Sequence, residues 1–277
     1  VQGLGLDNHA ACAVVPHSKQ AATLLRFLRA RAGVKESADM FIEALDWRRD
    51  FDIDRKLDDW RSEWLAGTSA RVRLLKVYDW MSVMGRDFED LPVTLVRESQ
   101  ADPAGIMREI GMEPLLLHMV LFIEDAFAQG RAKMLATGHY TTGFVEIHDM
   151  GNYGLVGGWT SRAFNSIPFF KVQAKVFDLV YPERVRVLFL LRAPRAFAAI
   201  WKVFEPWVPQ ATKNKIRMKG QCASEWVHEV EALVPLEVVP AWLQKDDAEL
   251  LHEALPWAGA VPKGALAHFE CDPDKGM

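Results

Sequence analysis

The sequence is poor in the residues on which metal sites and disulfide frameworks are built. Its three cysteines, Cys12, Cys222 and Cys271, stand far apart in 277 residues. So sparse and odd a set fits a reducing compartment and contains no CxxC pair. The eight histidines form no HxxxH pair, so neither a metal nor another cofactor has support. The nucleophile elbow GxSxG, the Walker A loop and the GxGxxG fingerprint are all missing. No run of about eighteen apolar residues exists to span a bilayer, and no signal-peptide pattern opens the chain. Positive charge is not in surplus either: 33 Lys and Arg against 37 Asp and Glu leave a net charge of −4. That balance excludes nucleic acid as the main partner and simple electrostatic adhesion to anionic lipid.

What is present is globular. Half the residues are hydrophobic and a quarter are charged, enough for one large domain or two smaller ones with a well-buried core. Ten tryptophans make a local, hydrophobic contact with a membrane feasible. The chain opens at Val1 and not at Met, as a fragment or one domain of a longer protein would.

The stretch from Tyr181 to Gly220 organises the rest. Val185–Leu191 is a near-continuous apolar run, as in a strand buried on both faces of a mostly parallel sheet. Pro194 interrupts the chain after it. Phe197, Ile200, Trp201, Phe204, Trp207 and Val208 then recur at helical spacing, with Pro206 placed to kink or end the helix. An apolar face made of Trp and Phe is core packing, a movable lid over a cavity, or a surface that meets a membrane; pattern alone favours core. Thr212, Lys215 and Arg217 follow in a polar turn.

Upstream, residues 1–17 read as a lead-in. Residues 18–70 read as a helical unit. In TLLRFLRAR, Leu24, Leu25, Phe27 and Leu28 alternate with arginines, and Gly33 is placed to stop that helix. Two further helices follow, carrying Phe41, Ile42 and Leu45, then Trp60 and Trp64, with Gly67 closing the last. Residues 71–240 alternate strand and helix, which makes an α/β layer. Its parts are an undecided Arg71–Val83, an acidic turn over 85–92 and a strand at Val93–Val96. A helix capped by Asp102 with Pro103 in its first turn comes next, then a long apolar helix over Glu113–Ala128. A strand over Thr141–His148 and a helix over Ser161–Leu179 complete it. Pro235–Val239 reads as a short edge segment. Residues 241–277 form a C-terminal extension, whose end, Gly259–Met277, is expected to pack weakly.

Two features could carry chemistry. Gly151, Gly154, Gly157 and Gly158 stand where a phosphate cradle would, but their spacing matches no nucleotide motif and plain turn geometry is the better reading. His148 and Asp149 at a strand end could orient a base, yet no nucleophile pairs with them, and a structural pair is the better reading.

LLRFLRAR (Leu24–Arg31), WRRD (Trp47–Asp50), Pro92 before its strand, and above all YPERV followed by FEPWVPQATKNKI resemble the CRAL-TRIO lipid-binding family of the phosphatidylinositol transfer type. The resemblance covers Ser18 to Val239. It implies a helical N-terminal subdomain on a mixed, mostly parallel sheet lobe, with a lipid pocket closed by a lid helix. It implies binding of phosphatidylinositol and its exchange between membranes, or its presentation to a lipid kinase. No bond is broken. The setting would be cytoplasmic and peripheral at membranes.

Carried over, the headgroup site falls on Arg31, Asp87, Pro92, Glu183, Thr212 and Lys215. Lys215 and Arg31 would neutralise the phosphate, Thr212 would donate to it, and the carboxylates would accept from ring hydroxyls. The lid and membrane contact falls on Phe197, Ile200, Trp201, Phe204 and Trp207. Positions that in the family hold a second, choline lipid are Thr94, Phe144 and Glu146 here. A carboxylate facing a phosphate is repulsive, which implies a different second hydrophobic ligand. Two other classes stay open: a lipid-sensing module in a larger regulatory protein, and an enzyme using His148 and Asp149.

Overall fold

The computed structural model describes residues 17–139, 143–151, 159–193, 197–244 and 260–270. Gly154, Gly157, Gly158, Pro194, Cys12 and Cys271, singled out above, lie outside them, as does the lead-in to residue 16. Helices α1 (His17–Ala30), α2 (Val34–Asp50), α3 (Ile53–Ala66) and α4 (Ala70–Tyr78) come first. Gly67 closes α3 in the left-handed conformation at φ 67°. Gly33 does not do this for α1: its φ is −117° and it precedes α2. In α1 the buried face carries Arg26 with Phe27, while Leu25 and Leu28 are exposed. Arg26 is tolerated inside because its guanidinium lies over the Phe127 ring, 4.0 Å from the centroid, and its methylenes pack as hydrocarbon.

A five-stranded sheet follows in the order β1 (Met81–Arg86), β2 (Pro92–Arg97), β3 (Phe144–Asp149), β4 (Val185–Leu191) and β5 (Ile216–Met218). The first pair is antiparallel and the other three are parallel. The stretch Arg71–Val83 thus holds both a helix end and a strand start. Residues read as a polar turn after Lys215 form the short strand β5. It escapes a reading by hydrophobic pattern because Arg217 and Met218 are solvent-exposed.

Between the strands lie α5 (Pro103–Ile110), α6 (Met112–Thr137), α7 (Trp159–Asn165), α8 (Ile167–Val180), α9 (Phe197–Phe204) and α10 (Gln210–Lys213). Asp102 caps α5, accepting from Gly105 N at 3.0 Å. Pro206 ends α9 as expected, and the chain passes into a 3-10 turn over Glu205–Trp207. Beyond α11 (Val227–Glu231), the segment Leu236–Val238 is a 3-10 turn and no edge strand.

Strand alternation sorts the sheet's side chains into two faces. Val93, Leu95, Val145, Ile147, Phe189 and Leu191 bury one face against Trp226, Val230, Val234 and Val239. The other face looks toward α6, α8 and α9. The main core is continuous from Ile53 and Trp60 through Leu74, Leu75, Ile106 and Val120 to Val180, so α3 and α4 share it with the helices of the lobe. Residues 260–270, the described part of the C-terminal segment, do not pack weakly. α12 (Ala265–Glu270) lies on α4 and α5, Val261 and Ala265 are buried, and Val261 N donates to Asp102 Oδ2 at 2.8 Å. Asp102 therefore caps one helix and ties down a chain segment 159 residues away.

One half-buried network joins the first helices to the lobe. Arg48 of α2 donates to Glu124 of α6 at 2.7 Å, and the Tyr181 hydroxyl donates to the same carboxylate at 2.9 Å. Burial alone would raise Glu124, but Arg48, Tyr181 and Arg131 hold it below the usual carboxylate range. Removing one partner of such a pair leaves an uncompensated charge. Glu124→Ala is expected to lose about 3 kcal/mol and Tyr181→Phe about 1 kcal/mol in urea denaturation, with equal losses arguing that the hydroxyl, not the ion pair, carries the joint.

Candidate functional site

The sheet face turned toward α6, α8 and α9 is not packed shut. It floors a cavity of about 340 Å³, within the size range of ligand pockets. Its walls are apolar: Met119, Phe122 and Ile123 from α6, Phe170 and Phe177 from α8, and Leu188 and Leu190 from β4. Four of the five expected lid side chains, Phe197, Trp201, Phe204 and Trp207, line it. The Ile200 side chain is outside those described. Phe204 meets Phe170 edge-on at 5.5 Å, and Lys171 sits over the Trp207 ring at 5.2 Å. The aromatic face of α9 is therefore cavity wall, and Phe197 alone of the four is fully buried.

Two polar groups of residues line the cavity. The first comprises Arg31, Asp178, Glu183, Thr212 and Lys215. Lys215 Nζ lies 3.2 Å from both oxygens of Glu183, and Arg31 lies 3.5 Å from Asp178. Glu183 sits in the turn before β4 with φ 58°, a left-handed conformation that costs roughly 1–2 kcal/mol for a residue with a side chain. Such strain collects at functional positions. α10 places Thr212 and Lys215 together, because Lys215 N donates to Thr212 O at 2.9 Å and closes the turn.

Asp87 and Pro92 do not join this group. Asp87 holds the turn before β2, accepting from Glu89 N and Leu91 N at 2.9 Å each, and its other oxygen takes Arg186 at 2.5 Å. Its side chain has no solvent exposure. Pro92 is buried opposite Arg86 at the start of β2. Neither lines the cavity, so the expected headgroup role for both is corrected to a structural one. A residue carried over by sequence position can serve the backbone that shapes a site without facing it.

The second polar group lies on the floor. Phe144, Glu146 and His148 of β3 share its face by strand alternation, and Thr94 pairs with Glu146 across β2. Glu98 follows β2, and Arg184 precedes β4. His148 Nδ1 is 2.8 Å from Glu98 Oε1, and its Nε2 is 3.6 Å from Glu146 Oε2. Arg184 donates to the other oxygen of Glu146. Burial by itself would lower the His148 pKa, but the flanking carboxylates of Glu146 and Glu98 outweigh it and raise the ring to about 9. Burial would likewise raise Glu146, and Arg184 with His148 holds it below the usual range. Glu146 is thus no bare carboxylate, and simple repulsion of a phosphate is too coarse a description of it.

His148 and Asp149 are neighbours in sequence and on opposite faces of the strand. Asp149 forms a buried two-fold pair with Arg192 at 2.7 and 2.8 Å and accepts from Gly151 N. They do not form an acid–base pair. Among the described residues no group of acidic, His or Cys side chains could hold a metal ion, and no helix is long and apolar enough to cross a membrane. Glu98, Asp178 and Arg184 were not anticipated. Period-two alternation from Glu146 would have found His148, whereas Arg184 reaches Glu146 only through the pairing of β3 with β4, which no local pattern encodes.

Comparison with known proteins bears on this geometry. The CRAL/TRIO domain profile matches residues 77–243. A CRAL-TRIO domain-containing protein of Caenorhabditis elegans is 24% identical over 226 residues, covering 80% of this chain and 29% of its own length. The protein real-time of Aedes aegypti is 24% identical over 246 residues, 87% of this chain and 35% of its own. A CRAL-TRIO domain-containing protein of Saccharomyces cerevisiae is 25% identical over 227 residues, 79% of this chain and 68% of its own. The chain therefore spans about a third of the length of the worm and mosquito relatives. The crystal structure of Sfh5 is similar at a TM-score of 0.44 and 15% identity, over 76% of this chain and 67% of that one.

The floor makes stability pH-dependent. His148 is raised from 6.5 to about 9 on folding, so its contribution is complete below pH 6.5 and is lost as pH rises through about 9. Melting curves across that window are expected to show a loss on the order of 3 kcal/mol that is absent from His148→Gln. A variant that follows the wild-type profile would assign the loss to another group.

Proposed function

The chain belongs to the CRAL/TRIO domain family, whose members bind and transfer lipids and are not enzymes; on that premise we propose that it binds phosphatidylinositol in the cavity under α9 and exchanges it between membranes. The observation that carries the lipid's identity is that Arg31, Glu183, Thr212 and Lys215 all line a cavity whose walls are apolar. An inositol phospholipid presents one phosphodiester charge and a ring of hydroxyls. Lys215 and Arg31 supply the cations, Thr212 supplies a donor, and Glu183 accepts from the ring. Both cations are already paired, Lys215 with Glu183 and Arg31 with Asp178. A bound phosphate would share each cation with its carboxylate, and those pairs, being partly exposed, are weak enough to rearrange.

Acyl chains would occupy the apolar walls, at roughly 0.8 kcal/mol for each methylene removed from water. Retention of that size requires the cavity to open against a membrane and not in water. α9 is the element suited to move: its face is aromatic, the helix gives way to a 3-10 turn at Pro206, and Phe204 meets α8 through its ring. Trp201, Phe204 and Trp207 are amphipathic or apolar aromatics of the kind that enter a membrane interface. The protein would work in the cytoplasm as a peripheral visitor to membranes. A lipid-sensing role inside a longer protein uses the same cavity, and the greater length of the worm and mosquito relatives favours keeping it. A lipid kinase is a fitting recipient of presented lipid.

Mass spectrometry of lipid that co-purifies, followed by transfer of labelled phosphatidylinositol between vesicles, tests the reading. Lys215→Ala and Thr212→Ala are expected to lower transfer by at least about tenfold, the worth of one charge-assisted hydrogen bond. Asp87→Asn is expected to lower stability while leaving headgroup selectivity alone. An empty cavity, or transfer indifferent to Lys215, would remove the inositol assignment.

A further inference from the structure

We infer that Asp178 is a resident competitor for the phosphate of the bound lipid: it holds Arg31 when the headgroup is absent, gives it up when the headgroup arrives, and so sets how readily lipid leaves. The inference deepens the reading above and rests on Arg31 meeting a phosphate. Asp178 is not among the residues that the resemblance carried over.

Asp178 stands where a carboxylate is locally unfavourable. It lies in the last turn of α8, which carries no basic residue. The unpaired carbonyls of a helix C-terminus give that end partial negative charge, so an anion beside them is destabilised and a cation is favoured. Arg31 is the reverse case. It follows the last residue of α1 and donates to Ala30 O at 3.0 Å. Its Nη2 reaches Asp178 Oδ2 at 3.5 Å. Both residues line the cavity, as do Glu183 and Lys215, so two carboxylates stand against two cations there. Glu183 has a use in the reading above, as an acceptor for ring hydroxyls, and Asp178 has none. A residue that breaks a local rule in a binding cavity is a candidate for function.

The pair is poorly suited to be a strut between α1 and α8. Its side chains are 37% and 40% exposed, and ion pairs so open to water contribute little to stability. Tyr181, three residues beyond Asp178, already ties the end of α8 to α6 and α2 through Glu124 and Arg48. The other cation of the cavity is held more closely. Lys215 lies 3.2 Å from both oxygens of Glu183, with side chains 26% and 15% exposed. Arg31 is therefore the cation that a phosphate redirects at the lower cost, and its five N–H donors can serve a phosphodiester as well as a carboxylate. When the phosphate departs, Asp178 gives the guanidinium a charged partner again. That stabilises the empty state relative to the loaded one, and differences of this kind between related complexes appear mainly in the rate of release. A protein that returns lipid to membranes needs such a weakened hold.

The test loads the full chain with fluorescent phosphatidylinositol and follows its release into an excess of phosphatidylcholine vesicles by stopped-flow mixing. Asp178→Asn is expected to hold the lipid about fivefold longer, the factor that an exposed ion pair's ~1 kcal/mol sets, with thermal melting unmoved. Asp178→Gln, a second neutral replacement, is read alongside it. Arg31→Met is expected to release the lipid faster. Adding Asp178→Asn to Arg31→Met is expected to change release by less than about twofold, because Asp178 acts through Arg31 and the two effects are not additive. Faster release from Asp178→Asn means that the carboxylate itself holds the lipid, and overturns the inference. A loss of melting temperature in both Asp178 variants with release unchanged assigns the pair to the frame, with the same result. Slowing that persists in full without Arg31 overturns the route through Arg31. Wild-type protein that takes up no phosphatidylinositol removes the headgroup reading and this inference together, whereas uptake with release indifferent to Asp178 removes the inference alone.

Discussion

A charge taken out of water must meet an opposite charge or be neutralised, and the cavity of this protein is shaped by that constraint. Glu146 stands in the middle strand of the sheet, on the face that the cavity exposes. It can remain ionised there only because Arg184 and His148 reach it. Arg184 comes from the turn before β4, and that turn is held by Glu183 in a left-handed conformation. The same turn delivers Glu183 to Lys215. One strained turn thus sets the geometry of both polar groups of the cavity, on the floor and beside α10.

The pairing of β3 with β4 contributes a second adjustment. Phe144 is opposite Val185 and Val145 is opposite Val187, so the register slips by one residue between them. Arg186 is the residue left over. It is turned to Asp87 and Glu89, where it braces the turn that leads into β2. A bulge that re-aims one side chain and bends a strand is a usual device at the edge of a site. Here it separates Arg184, which serves the cavity, from Arg186, which serves the frame.

Asp149 and Arg192 are paired deep in the sheet's C-terminal edge, beside Gly151, where any side chain would collide with the guanidinium. α9 begins a few residues after Arg192. Phe197 packs with Met150 and Leu190, and Phe204 meets Phe170 edge-on.

By itself the sequence determined the class of fold, because period-two and helical hydrophobic patterns are local. The Val185–Leu191 strand, the cap at Asp102, the end of α9 at Pro206 and the turn at Gly67 were all legible for that reason. It also brought Glu183, Thr212 and Lys215 forward through the resemblance of the YPERV to NKI stretch, and Arg31 through that of LLRFLRAR. What it misjudged depended on contacts between distant segments. Asp87 has the right type for a headgroup ligand, yet Arg186, 99 residues away, claims it. The segment after Gly259 has loop composition, yet Asp102 and Glu109 anchor it. Glu146 reads as a bare carboxylate until the parallel register sets Arg184 beside it. Tertiary structure decided these because a charge's partner, and so its energy and its role, is fixed by which strands lie side by side, and that is written nowhere in the spacing along the chain.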